Sequence, residues 1–245
     1  MKKRLAIALI MITCLIGIGA LAAYLLYNGF LRFNYPSYKE YPIQGIDVSN
    51  HQNEIDWAKL DKKRVQFALI KATEGGDFKD KSFLKNWQSA QEQGVTVGAY
   101  HFFTFCKSGE EQAQNYIETV PVLSGSLPPT IDLEYSGNCK LTKTKEELLR
   151  DIDVFIEIVE KHYKRKVLIY VLDNFYNDFL VGRYPENPLW LRDVYHKPVI
   201  AEDRMWTFWQ YSNRGRLDGI EGFVDLNVFR SSKENFRLLL NAGHE

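Results

Sequence analysis

Residues 128–134 read Pro-Pro-Thr-Ile-Asp-Leu-Glu. The β-branched and apolar residues in this stretch predict a strand over residues 130–135. Side chains alternate along a strand, so Asp132 and Glu134 point to the same face, with Cα atoms roughly 6.6 Å apart. Two carboxyl groups on one face can perform acid–base chemistry, but an Asp-x-Glu pair can equally cap a loop or bind an arginine. The stretches around it help to choose between these interpretations.

Seven other stretches share this strand-like composition. They are residues 44–48, 66–73, 95–103, 166–172, 189–194, 207–211 and 223–229. Amphipathic helices are predicted between the early strands, and one of them ends at Gly94. Two others begin with capping boxes, Ser108 with Glu111 and Thr144 with Glu147. This alternation predicts an α/β fold, a modified TIM-like barrel of eight parallel strands whose last third lacks full helices.

The N-terminal segment differs in composition from the rest of the chain. Residues 5–27 carry no charge and follow Lys2, Lys3 and Arg4. A helix of this length spans a hydrocarbon core of roughly 30 Å, and the preceding charges predict a cytoplasmic N-terminus. A cleaved signal peptide is the alternative, because Ala20-Leu21-Ala22 resembles a cleavage site. We therefore predict a membrane anchor or signal segment over residues 1–27, a stem over 28–41 and a barrel domain over 42–245.

Composition and charge exclude several classes of protein. Hydrophobic residues make up 45% of the chain and charged residues 25%, which excludes a wholly disordered or fibrous protein. The 31 basic residues balance 31 acidic residues, so nothing indicates nucleic-acid binding. The five histidines and three cysteines lack HExxH and CxxC spacing. We expect no metal and no cofactor.

Acidic residues stand near the ends of three predicted strands. Asp47 ends the first strand, Asp132 and Glu134 lie on the fourth, and Asp225 lies on the eighth. The eighth strand neighbours the first in a closed barrel, so these four acids can converge in one cleft. Crowded like charges raise the pKa of at least one carboxyl group. A protonated acid beside a second carboxylate is the arrangement that glycoside cleavage requires.

Six stretches in order along the chain resemble one known family. They are Gly45-Ile46-Asp47-Val48-Ser49, Ile70-Lys71-Ala72-Thr73-Glu74-Gly75, Gly98-Ala99-Tyr100-His101-Phe102, residues 128–134, Trp209-Gln210-Tyr211-Ser212 and Gly222-Phe223-Val224-Asp225-Leu226-Asn227. Together they resemble glycoside hydrolase family 25, the muramidases often called Chalaropsis-type lysozymes, over about residues 42–230. The resemblance implies a flattened barrel of eight strands with about five helices. It also implies cleavage of the β-1,4 bond between N-acetylmuramic acid and N-acetylglucosamine in peptidoglycan.

The resemblance assigns roles to the four acids. Glu134 matches the general acid of the family and Asp132 its partner carboxylate, while Asp47 and Asp225 match the acids that complete the cleft. Asp132 either orients a substrate acetamido group that attacks the anomeric carbon or helps to activate a water molecule. The Asp-x-Glu pair of substrate-assisted chitinases favours the first option.

Other residues are predicted to surround the cleft. Tyr100, Tyr170, Trp190 and Gln210 occupy strand ends, where they could bind sugar rings, although core packing explains any one of them equally well. His101 alternates with Tyr100, and we expect Tyr100 to face the cleft. We interpret Lys71 and Glu74 as a structural ion pair. Cys106 and Cys139 follow the third and fourth strands, which are neighbours in this topology, so we predict a disulfide between them.

These observations favour a monomeric, membrane-anchored muramidase that acts on peptidoglycan. Residues 5–27 would hold it in the cytoplasmic or inner membrane with the catalytic domain outside the cytoplasm, and cleavage of the segment would make it a secreted enzyme. A chitinase-like hexosaminidase would use the same acids. A non-catalytic barrel that binds sugars is the third interpretation, but a binding protein has no reason to keep a costly cluster of charges.

Overall fold

A computed structural model describes residues 2–201 and 204–242. Its strands are β1 (Gln44–Val48), β2 (Phe67–Glu74), β3 (Phe78–Lys79), β4 (Thr96–Phe102), β5 (Thr130–Leu133), β6 (Leu168–Leu172), β7 (Leu189–Arg192), β8 (Phe208–Gly215) and β9 (Val224–Phe229). Its α-helices are α1 (Lys2–Tyr27), α2 (Phe83–Glu92), α3 (Gly109–Thr119), α4 (Lys145–Tyr163), α5 (Asp173–Phe175) and α6 (Lys233–Asn241).

Eight of the strands close into a barrel. Their order is β1-β2-β4-β5-β6-β7-β8-β9, and the pairing of β9 with β1 completes the ring. The short strand β3 lies outside the ring and forms an antiparallel hairpin with β2. The predicted barrel of eight strands with about five helices after the N-terminal segment is therefore confirmed, and β3 is an addition to it.

The direction of the last strand corrects the sequence prediction. The seven barrel strands β1, β2, β4, β5, β6, β7 and β8 are parallel to one another, but β9 is antiparallel to both of its neighbours, β8 and β1. The expectation of parallel strands throughout was wrong because only residues 216–223 connect β8 to β9. A parallel crossover needs about a dozen residues or more, so a shorter connection favours a hairpin.

The helices cover the outside of the first part of the barrel. The capping boxes form as predicted: Ser108 Oγ accepts from the backbone N–H of Glu111 at 3.2 Å, and Thr144 Oγ1 does the same for Glu147. Helix α4 buries Leu148, Ile152, Phe155, Ile156 and Val159 on one face. In the last third of the chain α6 was not predicted. Its Phe236 ring lies 5.9 Å from Phe67, the first residue of β2, and helps to close that end of the barrel.

Helix α1 extends away from the barrel. It has 26 residues, and none of its side chains is buried. Within the described part of the chain it is the helix long and apolar enough to cross a membrane, and a signal sequence passes the same test. Residues 28–41 then return along the outside of the barrel and bury Tyr41 against Trp206 and Trp209, at ring-centroid distances of 6.0 Å in each case.

Candidate active site

The four predicted acids meet at one end of the barrel. Asp47 is the fourth of the five residues of β1, Asp132 is the third of the four residues of β5, and Glu134 follows β5 directly. Asp225 is the second residue of β9, and its register partner on β1 is Asp47. Because β9 is antiparallel, its beginning lies at the same end as the carboxyl ends of the other barrel strands. The reversed strand thus delivers Asp225 to the other acids.

Asp47 and Asp225 form the first of two carboxyl pairs. Gln210 Nε2 and Asn227 Nδ2 both donate to Asp47 Oδ2, at 2.8 and 2.7 Å. The side chain of Asp225 also bonds to Asp47, which requires a proton between two carboxyl groups. Burial and the charge of Asp47 raise the pKa of Asp225 well above 3.8. Burial raises the pKa of Asp47 too, but its donors oppose the shift. We therefore assign the proton to Asp225 and the charge to Asp47.

A buried hydrogen-bond network holds the side chain of Asp47 in place. Tyr170 donates its hydroxyl proton to Gln210 Oε1 at 2.9 Å, and Trp190 Nε1 donates to Asn227 Oδ1 at 2.8 Å. Tyr170, Trp190 and Gln210 are each at most 5% exposed, so their polar atoms serve Asp47 rather than the open cleft. Their role in binding substrate stays a prediction. Asn227 was missed as a site residue, although it lies two residues after Asp225 on the same strand and so shares its face.

Asp132 and Glu134 form the second carboxyl pair. Asp132 is buried, and its Oδ1 has no hydrogen-bond partner among the described residues. Burial and the charge of Glu134 raise the pKa of Asp132 well above 3.8. Glu134 is half-buried, and burial also raises its pKa, although the charge of Arg192 opposes the shift. The pair holds a proton more tightly than either acid would in water, and Glu134 is the member that reaches solvent.

Asn138 and a disulfide fix the loop after β5 to the loop after β4. Asn138 Nδ2 donates to the backbone carbonyl groups of Glu134 and Phe103, at 3.0 and 2.8 Å. Its Oδ1 accepts from the backbone N–H of Phe105 at 2.9 Å. Cys106 and Cys139, which stand in these two loops, are joined in a disulfide with Cα atoms 6.2 Å apart. The backbone of Glu134 is thereby held in place. Asn138 was missed because loop contacts leave no periodic signal in the sequence.

Tyr100 and His101 point to opposite sides of β4. Tyr100 is half-buried beside Trp190, and the charges of Asp47 and Asp132 add to the effect of burial in raising its pKa. It therefore faces the acids. His101 is fully buried in the outer layer of the barrel. Lys71 and Glu74 form the expected ion pair, with Nζ 2.6 Å from Oε2.

A cleft of about 600 Å³ lies at the carboxyl ends of β6 and β7, the end of the barrel that also holds the acids. Its lining includes Leu172, Asn174, Arg192 and Asp193. Arg192 lines this cleft, and its charge opposes the rise that burial causes in the pKa of Asp47, Glu134 and Asp225. Among residues 2–201 and 204–242, no group of three or more histidine, cysteine or acidic side chains could hold a metal ion.

Comparison with known proteins gives consistent matches. The family described as "Glycosyl hydrolases family 25" matches residues 46–220. Lysozyme M1 of Streptomyces globisporus is 33% identical over 210 residues, which cover 81% of this chain and 71% of that protein. A family 25 glycosyl hydrolase from Bacillus anthracis is 42% identical with a TM-score of 0.79, covering 85% of this chain and 97% of that one. The bacterial lysozyme from Streptomyces coelicolor is 32% identical with a TM-score of 0.74, covering 81% and 97%.

Proposed function

The chain belongs to glycosyl hydrolases family 25 and is a glycoside hydrolase, and we propose that it cleaves the β-1,4 bond between N-acetylmuramic acid and N-acetylglucosamine in peptidoglycan. The observation that carries the proposal is the meeting of four carboxyl groups at one end of the barrel, with the pKa of each raised by burial. Glycoside cleavage needs one acid that keeps its proton near neutral pH and a second carboxyl group close to it.

Glu134 is the proposed general acid, with Asp132 as its partner. In the free enzyme the proton is shared on this pair, and the deeper Asp132 has the more strongly raised pKa. A glycan strand that covers the cleft removes water from Glu134, which further favours its neutral form. The proton then lies on the carboxyl group nearest the leaving oxygen. As the glycosidic bond breaks, Glu134 gives this proton to the glycosidic oxygen, which leaves as a hydroxyl group of the departing sugar.

Asp132 is proposed to act on the opposite side of the reacting sugar. Once ionised, it can orient the acetamido group of the substrate so that its carbonyl oxygen attacks the anomeric carbon. The free Oδ1 of Asp132 supports this role, because it leaves an acceptor for the acetamido N–H. Activation of a water molecule is the alternative for the same carboxylate.

Asp47 is proposed to stabilise the positive charge that develops on the reacting sugar, and the protonated Asp225 is proposed to hold Asp47 in its charged form. Asp47 stays ionised because three donors, Gln210, Asn227 and Asp225, bond to it. Tyr170 and Trp190 fix those donors in turn, so we regard both as positioning residues. Tyr100, which faces the acids from β4, is the aromatic side chain that we expect to contact the sugar.

The compartment follows from the proposed substrate. Peptidoglycan lies outside the cytoplasm, and the positive charges at Lys2, Lys3 and Arg4 favour an orientation in which the barrel is also outside. We propose that α1 is retained as a single membrane span, with the barrel on the periplasmic or cell-wall side. The unbroken apolar run to Tyr27, longer than the core of a usual signal peptide, supports retention.

Replacing Glu134 by Gln tests the proposal. We expect the rate of peptidoglycan solubilisation to fall by about 10²–10⁴-fold, because the amide cannot donate the proton, while binding to peptidoglycan is kept. Glu118→Gln is the matched control, since Glu118 lies on the exposed face of α3. Mass spectrometry of fragments released by the unaltered chain should find muramic acid at the reducing ends. Reducing N-acetylglucosamine ends would identify a glucosaminidase, and unchanged turnover by Glu134→Gln would overturn the catalytic assignment.

A further inference from the structure

Residues 28–41 carry the chain from one end of the barrel to the other. Strand β1 begins at Gln44, at the end opposite the acids, so a direct connection would bring α1 to that opposite end. Instead, the stem follows β8. Tyr41 packs on Trp206 and Trp209 near the beginning of β8, and the guanidinium group of Arg32 lies 5.9 Å from the Tyr211 ring further along it.

The end of α1 is fixed to the far end of β8. Arg214 Nη1 donates to the backbone carbonyl of Tyr27 at 2.5 Å, and Arg216 Nε donates to that of Asn28 at 2.7 Å. Gly29 has φ +73° and approaches the backbone so closely that an added Cβ would lie 1.8 Å from the carbonyl oxygen of Arg214. These contacts lie beyond Gln210, the residue of β8 that binds Asp47. The helix therefore leaves the barrel at the end that holds the acids.

The stem also covers the outside of β8, where a barrel helix would otherwise pack. No α-helix is described between β7 and β8, although residues 202–203 of that connection lie outside the described residues. Without the stem, the outward row of Trp206, Trp209 and Tyr211 would face solvent, yet each is at most 6% exposed. The stem is thus packed as part of the barrel, and α1 has a defined position relative to the cleft.

The surface around the end of α1 has the composition of a membrane interface. Phe30 and Phe33 are 58% and 64% exposed, and Tyr195, whose ring lies 5.2 Å from Phe33, is 57% exposed. Arg32 and Arg216 stand beside them. Aromatic side chains are enriched at headgroup level, and arginines attract anionic lipids. We call residues 30–33, Tyr195 and Arg216 the stem surface.

We infer that the stem surface rests on the headgroups of an anionic lipid bilayer and turns the catalytic end of the barrel toward the membrane. The inference rests on the retained anchor of the proposed function. Two further observations support it. The stem surface is continuous with the apolar helix α1, and the packed stem fixes the direction of the cleft relative to that helix. The glycan that the cleft can reach is then the layer between the barrel and the bilayer. This layer is the part of the cell wall closest to the membrane-bound precursors of peptidoglycan.

The distance of each end of the barrel from the membrane surface tests this inference. In the full chain with Cys14→Ser, a single fluorophore would be placed through Glu221→Cys, in the β8–β9 connection, or through Glu186→Cys, before β7. Both positions are exposed. The proteins would be inserted in nanodiscs of phosphatidylglycerol and phosphatidylethanolamine that carry a headgroup quencher. We expect at least about twofold more quenching at position 221, because the barrel ends lie roughly 25 Å apart along the strands.

Gly29→Val provides the variant that should release the stem, and Gly17→Val is its matched control. A side chain at Gly29 meets the Arg214 carbonyl, whereas one at Gly17 meets nothing within 4 Å. Gly29→Val should lower quenching at position 221 and leave hydrolysis of soluble glycan fragments unchanged, while Gly17→Val should alter neither. Equal quenching at both ends, or more at position 186, would overturn the inference. Recovery of only a shortened, soluble chain would overturn it as well, whereas muramidase activity of that chain would still support the proposed hydrolase.

Discussion

Two buried polar clusters, one on each side of the sheet, differ in whether their polar atoms are paired by hydrogen bonds. In the outer layer, His101 Nδ1 accepts from the hydroxyl group of Thr73 at 2.7 Å, and its Nε2 donates to Gln112 Oε1 at 3.2 Å. Both ring nitrogens are bonded, and burial lowers the pKa of His101 to about 3, so the ring is neutral. At the catalytic end, Asp132 is buried as well, but its Oδ1 has no partner among the described residues.

This difference separates a structural group from a candidate catalytic one. The His101 cluster is fully paired, so it stabilises the fold and has no proton to give near neutral pH. The carboxyl groups are crowded, incompletely paired and open to the cleft, an arrangement that opposes stability and suits acid–base chemistry. A strongly shifted pKa alone does not identify an active site. Three predictions test the comparison, beginning with the largest expected effect.

Asp132→Asn should lower activity without lowering stability. We expect turnover of peptidoglycan to fall by about 10²–10⁴-fold, because an amide can replace neither the charge nor the proton exchange of the acid. The free energy of unfolding at pH 7 should stay the same or rise, because a buried ionisable group is removed. Hydrolysis assays and urea denaturation would measure both. Wild-type activity in this variant would place Asp132 with the structural residues.

His101→Phe should have the converse effect. Phenylalanine fills the site but leaves Thr73 and Gln112 without their ring partner, so we expect a loss of about 1–3 kcal/mol of stability and little change in turnover. The unfolded chain takes up a proton at this histidine near pH 6.5, whereas the folded chain does so only near pH 3. Between these values the stability of the unaltered chain should therefore rise with pH. That contribution should be absent from the variant, and an unchanged pH profile of denaturation would contradict the assignment.

Asp225→Asn should give the smallest effect, a gain of about 1 kcal/mol in the free energy of unfolding at pH 7. The folded chain keeps the proton of Asp225 above pH 3.8, whereas the unfolded chain releases it, so this acid lowers stability as pH rises. The amide of asparagine can still donate to Asp47. The gain should shrink toward pH 4 when denaturation is repeated there. A gain that is independent of pH would show that Asp225 does not retain a proton.

The strands could be predicted well because every barrel strand contains a run of β-branched and apolar residues. The predicted 44–48 and the observed Gln44–Val48 agree, and the other seven barrel strands lie within a few residues of their predictions. Strand direction carries no such pattern, so the reversal of β9 was missed. Helix α6 was missed because its nine residues give only a short amphipathic signal.

The candidate site was predictable to the level of side-chain direction. Strand positions indicated that Asp47, Asp132, Glu134 and Asp225 converge, because side chains alternate and neighbouring strands end together. Hydrogen-bond partners were not predictable, since rotamers decide them. Tyr170 and Gln210 were placed at strand ends where they could bind sugar or pack in the core. In the fold Tyr170 donates to Gln210, and Gln210 donates to Asp47, while their contact with sugar stays a prediction.

The central claim is that crowding and burial keep at least one of the four carboxyl groups protonated near neutral pH. Carbon-13 NMR of the full chain, labelled at aspartate and glutamate carboxyl carbons, measures this directly. Glu134→Gln, Asp132→Asn and Asp225→Asn would assign the signals. We predict that at least one carboxyl group of the Asp132–Glu134 pair titrates well above the ordinary range of its residue type, because burial raises its pKa. Titration of all four groups at or below the ordinary values of aspartate and glutamate would contradict this claim.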